Sequence, residues 1–375
     1  MQLWIVQLER VDKTARLACT QAPVKECSSR SAGLIVSGLS PNQKYVLIHT
    51  SSRTGSSFTG EFFNQNPKAH YLFEPFKLLS LIPNSYLESE YLQGQIVQLL
   101  LELFRCDYST LFRDSHTLFP KETKLREDWL KKIFEQSLTR SFSNNLTQSF
   151  LEEECRRYDV HIIKTIRCVH FNTLLPLILE HGVYVINLIR DPRAKAVSRV
   201  EIDARKAKKP LDAFLSASAD GLNQLTGVSR LECVKLQDTI TFFDRVTPSI
   251  HVDAIARRTR VVRYEDIATA PLDFYRKIYS FLGMELSGEV ERWIEESTQV
   301  DEGGLFSTKR DSRAAVERWR SKLAFAHVAR MQEVAECTRV LRVLGYRAAR
   351  TEAELKNFSS SLVSDTNALR KFRIV

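Results

Sequence analysis

The chain has 375 residues, 43% hydrophobic and 26% charged, an ordinary globular balance with enough apolar material for a sizeable core. Its net charge of +9 bears on partners rather than fold, and suits nucleic acid, an anionic cofactor or an acidic polysaccharide. The chain has no long basic block interleaved with aromatics, no zinc-ligand spacing and no RNA-binding signature, which argues against nucleic acid and against a metal site.

The first residues, MQLWIVQLERVDKTARLACT, carry an apolar run broken by Glu9 and Arg10. It is too short for a membrane span and lacks a signal-peptide plan; no other stretch reaches span length. The chain therefore reads as soluble or as lacking its true start. Residues 1–43 show little pattern and are expected to form a loose N-terminal segment. From there to about residue 350 strand-like and helix-like pieces alternate, and 351–375 reads as a C-terminal tail.

YVLIHT (45–50) is a short apolar run of the kind a buried parallel strand shows. SSFTGEFFNQNP (56–67) predicts a helix stopped by Asn66-Pro67, and AHYLFEP (69–75) a second strand ended by Pro75. SEYLQGQIVQLLLELFRC (89–106) predicts a long helix, and 108–155 reads as a polar, irregular insertion with short helices. VHIIKTIRCV (160–169) is the third strand, FNTLLPLILEHG (171–182) a helix, and VYVINLIR (183–190) the fourth strand. DPRAKAVSRVEIDARKAK (191–208) is a helix with Asp191 as its cap and Pro192 in its first turn. TRVVRYEDIA (259–268) is read as a fifth strand and APLDFYRKIYSFLGM (270–284) as a helix; two more helices flank DEGGLFSTKRDS (301–312). Such alternation implies right-handed crossovers and an α/β fold: a central parallel β-sheet flanked by helices, with ligands at the carboxyl ends of the strands.

Seven cysteines (Cys19, Cys27, Cys106, Cys155, Cys168, Cys233, Cys337) contain no CxxC pair. One or two disulfides in an oxidising lumen and buried free thiols both fit that count. Two glycosylation sequons, at Asn145 and Asn357, are no more than composition would produce.

The strand–loop–helix HTSSRTGSSF has the layout of a phosphate-binding loop. Gly55 permits a conformation that a Cβ would penalise, and the helix start offers N–H groups and a favourable dipole to an anion. Ser51, Ser52, Thr54, Ser56 and Ser57 add hydroxyls, and Arg53 a positive fork that fits phosphate or sulfate. A nucleotide triphosphatase would place lysine after the last glycine; here none follows Gly55. A second anion site is predicted at the end of the fourth strand, where Arg190 and Ser198 lie about two helical turns apart. Taken singly, the loop is equally an ordinary strand–turn–helix with serine caps, and the second stretch reads first as an ordinary capped basic helix. Together they match a ligand with two separated anionic groups.

SSRTGSSFTGEFFNQNP with YLFEP, LIRDPRAKAVSR, VVRYEDIA, FSTKRDS and the terminal LGY resembles, in that order, the Golgi carbohydrate sulfotransferases, the galactose/N-acetylglucosamine/N-acetylgalactosamine 6-O-sulfotransferase group. The resemblance implies a P-loop-like sulfotransferase fold and the co-substrate 3′-phosphoadenosine 5′-phosphosulfate. Ser51–Ser57 would hold its phosphosulfate, Arg190 and Ser198 its 3′-phosphate, and Lys309 and Arg310 would close over the nucleotide. It also implies a glycan or glycosaminoglycan acceptor and a Golgi lumenal location. A membrane would be met only through an N-terminal anchor, which is not seen in this sequence, and self-association stays open.

Sulfuryl transfer needs charge stabilisation, in-line positioning and a base. Arg53 is the first candidate for the charge, followed by Lys164 and Arg167; three apart, these two would face opposite sides of a regular strand. Glu74 is the candidate base, by resemblance to tyrosyl-protein sulfotransferases, which carry a glutamate in this place; a strand-end glutamate paired with a cation is the alternative. His49 and His70 are weaker candidates, and Trp319 reads as core packing. Asp191 reads as a cap, Arg193 as a surface or structural charge, and Glu265 and Asp266 as partners of arginines. A protein tyrosine acceptor, a P-loop kinase and an inactive sugar-binding relative are the competing readings.

Overall fold

The computed structural model describes residues 39–77, 79, 89–112, 123–137, 147–167, 170–216, 219–299, 311–365 and 369–373. Five strands form one parallel sheet: β1 (Lys44–His49), β2 (Ala69–Phe73), β3 (Val160–Thr165), β4 (Tyr184–Ile189) and β5 (Thr259–Arg263), in the order β2-β3-β1-β4-β5. All are short and almost wholly buried, as a sheet covered on both faces requires. The connection from β1 runs towards β2 and that from β4 towards β5, so the crevice beyond His49 and Ile189 is the topological switch point.

The period-two alternation of the strands divides the core. Val46 and Ile48 of β1, with Ile186 and Leu188 of β4, face α1 (Ser56–Asn64) and α5 (Pro271–Leu282). Phe62 of α1 stacks on Tyr275 of α5 at 3.9 Å, and Phe63 packs on Tyr279 at 5.6 Å. Gly60 lets α1 press on β2: a Cβ there would lie 2.0 Å from the Tyr71 hydroxyl. On the other face Tyr45 meets Phe104 of α2 (Glu90–Phe104). There too His49 meets Phe171, which packs on Phe242 and Phe243 of α4 (Ala219–Val246). Helix α3 (Pro192–Lys206) leads a second cluster in which Ala196, Val197 and Val200 pack with Trp319, so Trp319 is core, as read from the sequence.

Two segments differ from the sequence reading. The fifth strand stops at Arg263 and Tyr264–Thr269 is a helix, because Arg263 grips Asp266 three residues on, at 2.6 Å, across a helical turn. The stretch after Thr351, read as a tail, is tied to the domain. Arg320, fully buried, donates to the carbonyls of Glu354, Leu355, Asn357 and Ser360, and Phe372 packs on Phe243 at 4.5 Å. Disulfides join Cys106 to Cys155 and Cys233 to Cys337, closing separations of 49 and 104 residues. Each contributes about 2–4 kcal/mol through the unfolded state. His70 and His161 lie against Cys155, but that sulfur is committed to its disulfide.

Candidate active site

The turn after β1 is built on left-handed backbone. Arg53 has φ 65° and Gly55 φ 87°. For glycine that conformation is free; for Arg53 it costs about 1–2 kcal/mol, so the surroundings must enforce it. At Gly55 there is a second restriction, since a Cβ would lie 2.3 Å from the Tyr264 ring. Helix α1 begins at Ser56 and its first internal bond is Thr59 N–H to Gly55 O, 3.0 Å. The N–H groups before it are those a helix start leaves for an outside acceptor, and with the dipole they favour an anion. The hydroxyls divide by burial. Thr54 is fully buried and donates to Ser51 O at 2.7 Å. Ser51 Oγ donates to Glu232 at 3.2 Å and accepts from Lys195. Both serve the loop's shape; Ser52, Ser56 and Ser57 line its mouth or its first helical turn.

The two predicted anion sites meet at Arg53. Its Nε donates to Ser198 Oγ at 2.9 Å, and its carbonyl accepts from Arg190 Nη1 at 3.2 Å. The Arg190 guanidinium lies 4.4 Å over the Tyr264 ring, the same ring that closes on Gly55. Arg190 is thus braced by both the loop and the fifth-strand end. Asp191 caps α3 as expected, accepting from Arg193 N at 2.9 Å, and pairs with the buried Arg193 guanidinium at 2.7 Å. Asp266 pairs with Arg263 and, at 3.3 Å, with Arg373. Glu265 departs from its expected arginine partner: it accepts from Asp191 N and from the Tyr346 hydroxyl, each at 3.0 Å. Burial, and then the neighbouring Asp191 charge, push its carboxyl up to about 7. Lys309 and Arg310 lie outside the described residues.

Glu74 follows β2 directly, with its N–H bonded to Lys164 O at 2.9 Å. It too is left-handed, φ 43°, just before Pro75. Its carboxylate is 13% exposed and ion-paired with Lys164, whose side chain is fully buried with its ammonium 3.9 Å over the Phe73 ring. Lys164 is therefore covered by Glu74 and faces it, where the sequence reading had placed it on the reacting group. Strand β3 has ended before Arg167, so the opposite-face argument does not separate the two cations. Burial lowers the Arg167 guanidinium and the nearby Glu74 carboxylate works against that shift. His49 is a buried core histidine, 3.1 Å from Asn187 Oδ1. His70 lies at the far end of β2, where burial and then His161 lower its imidazole to about 3.

A second buried ion pair, Lys195 with Glu232, escaped the sequence reading. Lys195 projects from α3 and Glu232 from α4, and both reach Ser51 at the base of the loop. Burial pushes the Glu232 carboxyl up, but Lys195 and Lys235 outweigh it and hold it below the usual range. Together with His49, Arg190 and Lys235 the pair lines a cavity of about 50 Å³ at the switch point between β1 and β4. A lysine in the second turn of a basic helix gives no local sign of such a partner.

The arrangement offers a helix start and a guanidinium joined through Arg53, a carboxylate at the end of β2 with one strand between it and β1, and cations around that carboxylate. Residues 43–349 match the family model of the sulfotransferase domain. Carbohydrate sulfotransferase 3 of Homo sapiens is 31% identical over 355 residues, covering 86% of this chain and 71% of that protein. Carbohydrate sulfotransferase 1 of Homo sapiens is 29% identical over 367 residues, covering 86% and 84%. Among solved structures, the sulfotransferase domain from the curacin biosynthetic pathway is similar with a TM-score of 0.42 and 14% identity, covering 83% of this chain.

Proposed function

The chain belongs to the carbohydrate sulfotransferase family, and we propose that it moves a sulfuryl group from 3′-phosphoadenosine 5′-phosphosulfate to a sugar hydroxyl, the 6-hydroxyl of N-acetylglucosamine, galactose or N-acetylgalactosamine in a glycan or glycosaminoglycan. The observation that carries this reading is the double engagement of Arg53, by side chain with Ser198 and by carbonyl with Arg190. Two anion holders locked together in this way suit a nucleotide with phosphosulfate at one end and phosphate at the other.

The N–H groups around Gly55, with Ser52, Arg53, Ser56 and Ser57, hold the phosphosulfate; Ser51 and Thr54 keep the loop in shape. Arg190 and Ser198 hold the 3′-phosphate. The bound donor supplies the sulfuryl group and, at its 5′-phosphate, the leaving group. Glu74 takes the proton of the attacking sugar hydroxyl. Lys164 orients Glu74, and Arg53 with Arg167 balances the charge that grows on the sulfuryl oxygens. The two disulfides suit an oxidising compartment and support placement in the Golgi lumen.

The direct test incubates purified protein with sulfur-labelled donor and a panel of glycans and tyrosine peptides. Label is expected on glycan, and mass analysis of the product is expected to place it on the 6-oxygen. Label on peptide tyrosine and on no glycan would sink the reading.

A further inference from the structure

Four side chains able to bind a metal converge at the amino ends of β2 and β3, opposite the strand ends that carry the candidate active site. His70 and His161 are register partners on those two strands. Cys106 follows α2, and Cys155 lies near the end of the helix Gln148–Arg156. None of the four is more than 5% exposed. His161 Nδ1 lies 3.5 Å from Cys155 Sγ and 3.9 Å from Cys106 Sγ. One ligand atom each from His70, Cys155 and His161 falls within 4.8 Å of the others. Tetrahedral zinc, with bonds of about 2.0–2.3 Å, sets such atoms about 3.3–3.8 Å apart, so a shift of about 1 Å would complete the shell. No spacing along the chain announces the quartet, because strand pairing and helix packing assemble it.

The surroundings suit a closed site. The Tyr108 hydroxyl shares a hydrogen bond with His70 Nε2 at 3.4 Å and so orients its ring. His161 stacks on Tyr45 at 5.5 Å. Its Nε2 is buried without a hydrogen-bond partner among the described residues, an unmet group that a protein interior rarely keeps. Arg156 Nη2 donates to Cys106 O at 3.4 Å, and Tyr108 N donates to Glu152 at 3.0 Å. These bonds hold the Cys106 segment on the helix of Cys155 whether or not the two sulfurs are joined.

We propose that the Cys106–Cys155 disulfide is the oxidised form of a site that takes Zn²⁺ when reduced, with Cys106, Cys155, His70 and His161 as its four ligands. A dithiol reductant supplies two electrons and two protons; the sulfur–sulfur bond breaks, two cysteine thiols form, and the dithiol becomes a disulfide. On binding Zn²⁺ both thiols lose their protons to water. Each thiolate and each neutral imidazole then gives the ion a lone pair. Two thiolates cancel the two charges of the ion, so the filled site is neutral, as its burial requires. With four protein ligands it has no open position, and it serves the fold rather than sulfuryl transfer. Oxidation of the two thiols releases the metal, so zinc and disulfide are alternative closures of one site, the first serving the chain before its bridge has formed.

The test uses the full chain carrying Cys19→Ser, Cys27→Ser and Cys168→Ser, reduced with a phosphine in the absence of oxygen and titrated with Co²⁺. One Co²⁺ per chain is expected, with the visible bands of a tetrahedral ion and the ultraviolet band of a thiolate ligand. Zn²⁺ is expected to erase both and to raise the melting temperature of the reduced chain. The oxidised chain is expected to show neither band. His161→Ala and His70→Ala are expected to weaken Co²⁺ binding by at least about 10²-fold, more than loss of an outer partner costs. Reduction also opens Cys233–Cys337, so Cys106→Ala is measured without reductant, which frees Cys155 and leaves the other bridge closed. It is expected to bind one Co²⁺ through Cys155 and the two histidines. Absence of the thiolate band from both the reduced chain and Cys106→Ala overturns the proposal, and so does a band of undiminished strength after His161→Ala.

Discussion

Two buried lysine–glutamate pairs flank the loop after β1, and their chemistry is alike while their settings differ. Lys195–Glu232 joins two helices, with both side chains under 10% exposed and a third partner in Ser51. Lys164–Glu74 joins two strand ends, and its carboxylate sits on left-handed backbone with part of its surface open. A carboxylate saturated by donors inside a helix pair is suited to hold shape. One that is strained, partly open and surrounded by cations is suited to exchange a proton with a ligand. Exposure and backbone strain, rather than the ion pair itself, distinguish the two carboxylates.

The strongest way to break this contrast is to neutralise each carboxylate in turn. Glu74→Gln is expected to cut sulfuryl transfer by about 10²–10⁴-fold while leaving donor-nucleotide binding, read by calorimetry, near the parent value. Glu232→Gln is expected to do the reverse, weakening nucleotide binding and unfolding temperature more than turnover of the bound complex. Full turnover in Glu74→Gln would end the base assignment. The structural side of the contrast is next. Lys195→Met alone strands the Glu232 charge and is expected to cost about 3–5 kcal/mol in denaturant unfolding. Adding Glu232→Leu is expected to restore most of it. If the double variant is no more stable than the single one, the pair does not act as a closed structural unit.

A third carboxylate sharpens the comparison through pH. Glu265 is raised to about 7 in the folded chain against an ordinary value of 4.5. The folded state therefore binds the extra proton between those values, and this group's stabilising effect, complete below 4.5, is lost as pH rises through 7. The shift corresponds to about 3 kcal/mol. The buried His70 slopes the other way: its folded value is lowered to about 3 and its neutral form is favoured, so acid below 6.5 erodes stability. The readout is thus the difference between parent and Glu265→Gln unfolding curves, expected to be smallest in acid, where the amide matches the protonated carboxyl, and to grow towards neutral pH in favour of the variant. A constant difference from pH 4 to 8 would count against a protonated Glu265. Smallest is Ser198→Ala, which removes one bond to Arg53 and one candidate phosphate contact. About 1–2 kcal/mol, roughly 5–30-fold in nucleotide affinity, is expected; an unchanged affinity would remove Ser198 from the donor site.

The elements were largely legible because their signals are local. The apolar runs at 45–50 and 183–190, the Asp191-Pro192 cap and the Asn66-Pro67 stop specify strands and helix ends through contacts a few residues apart. What was misread also has a local cause. RYEDIA continues an apolar strand pattern, and only the Arg263–Asp266 contact shows the turn into helix. The cysteine count left pairing open, since nothing in the spacing of Cys106 and Cys155, or of Cys233 and Cys337, distinguishes bridges from thiols.

By itself the sequence determined the phosphate-loop layout, the second basic motif and the order in which they follow strands, because glycine, proline, caps and apolar period act over one or two turns of chain. The tertiary structure alone decided which groups meet. Arg53 reaches Ser198 across 145 positions, Lys164 is covered by Glu74 across 90, and Ser51 is held by Glu232 across 181. Those meetings are set by strand order and by the packing of α3 and α4 over the sheet, and no local pattern encodes them. The left-handed backbone at Arg53 and Glu74 belongs to the same class, since only the surrounding fold can hold a non-glycine residue there.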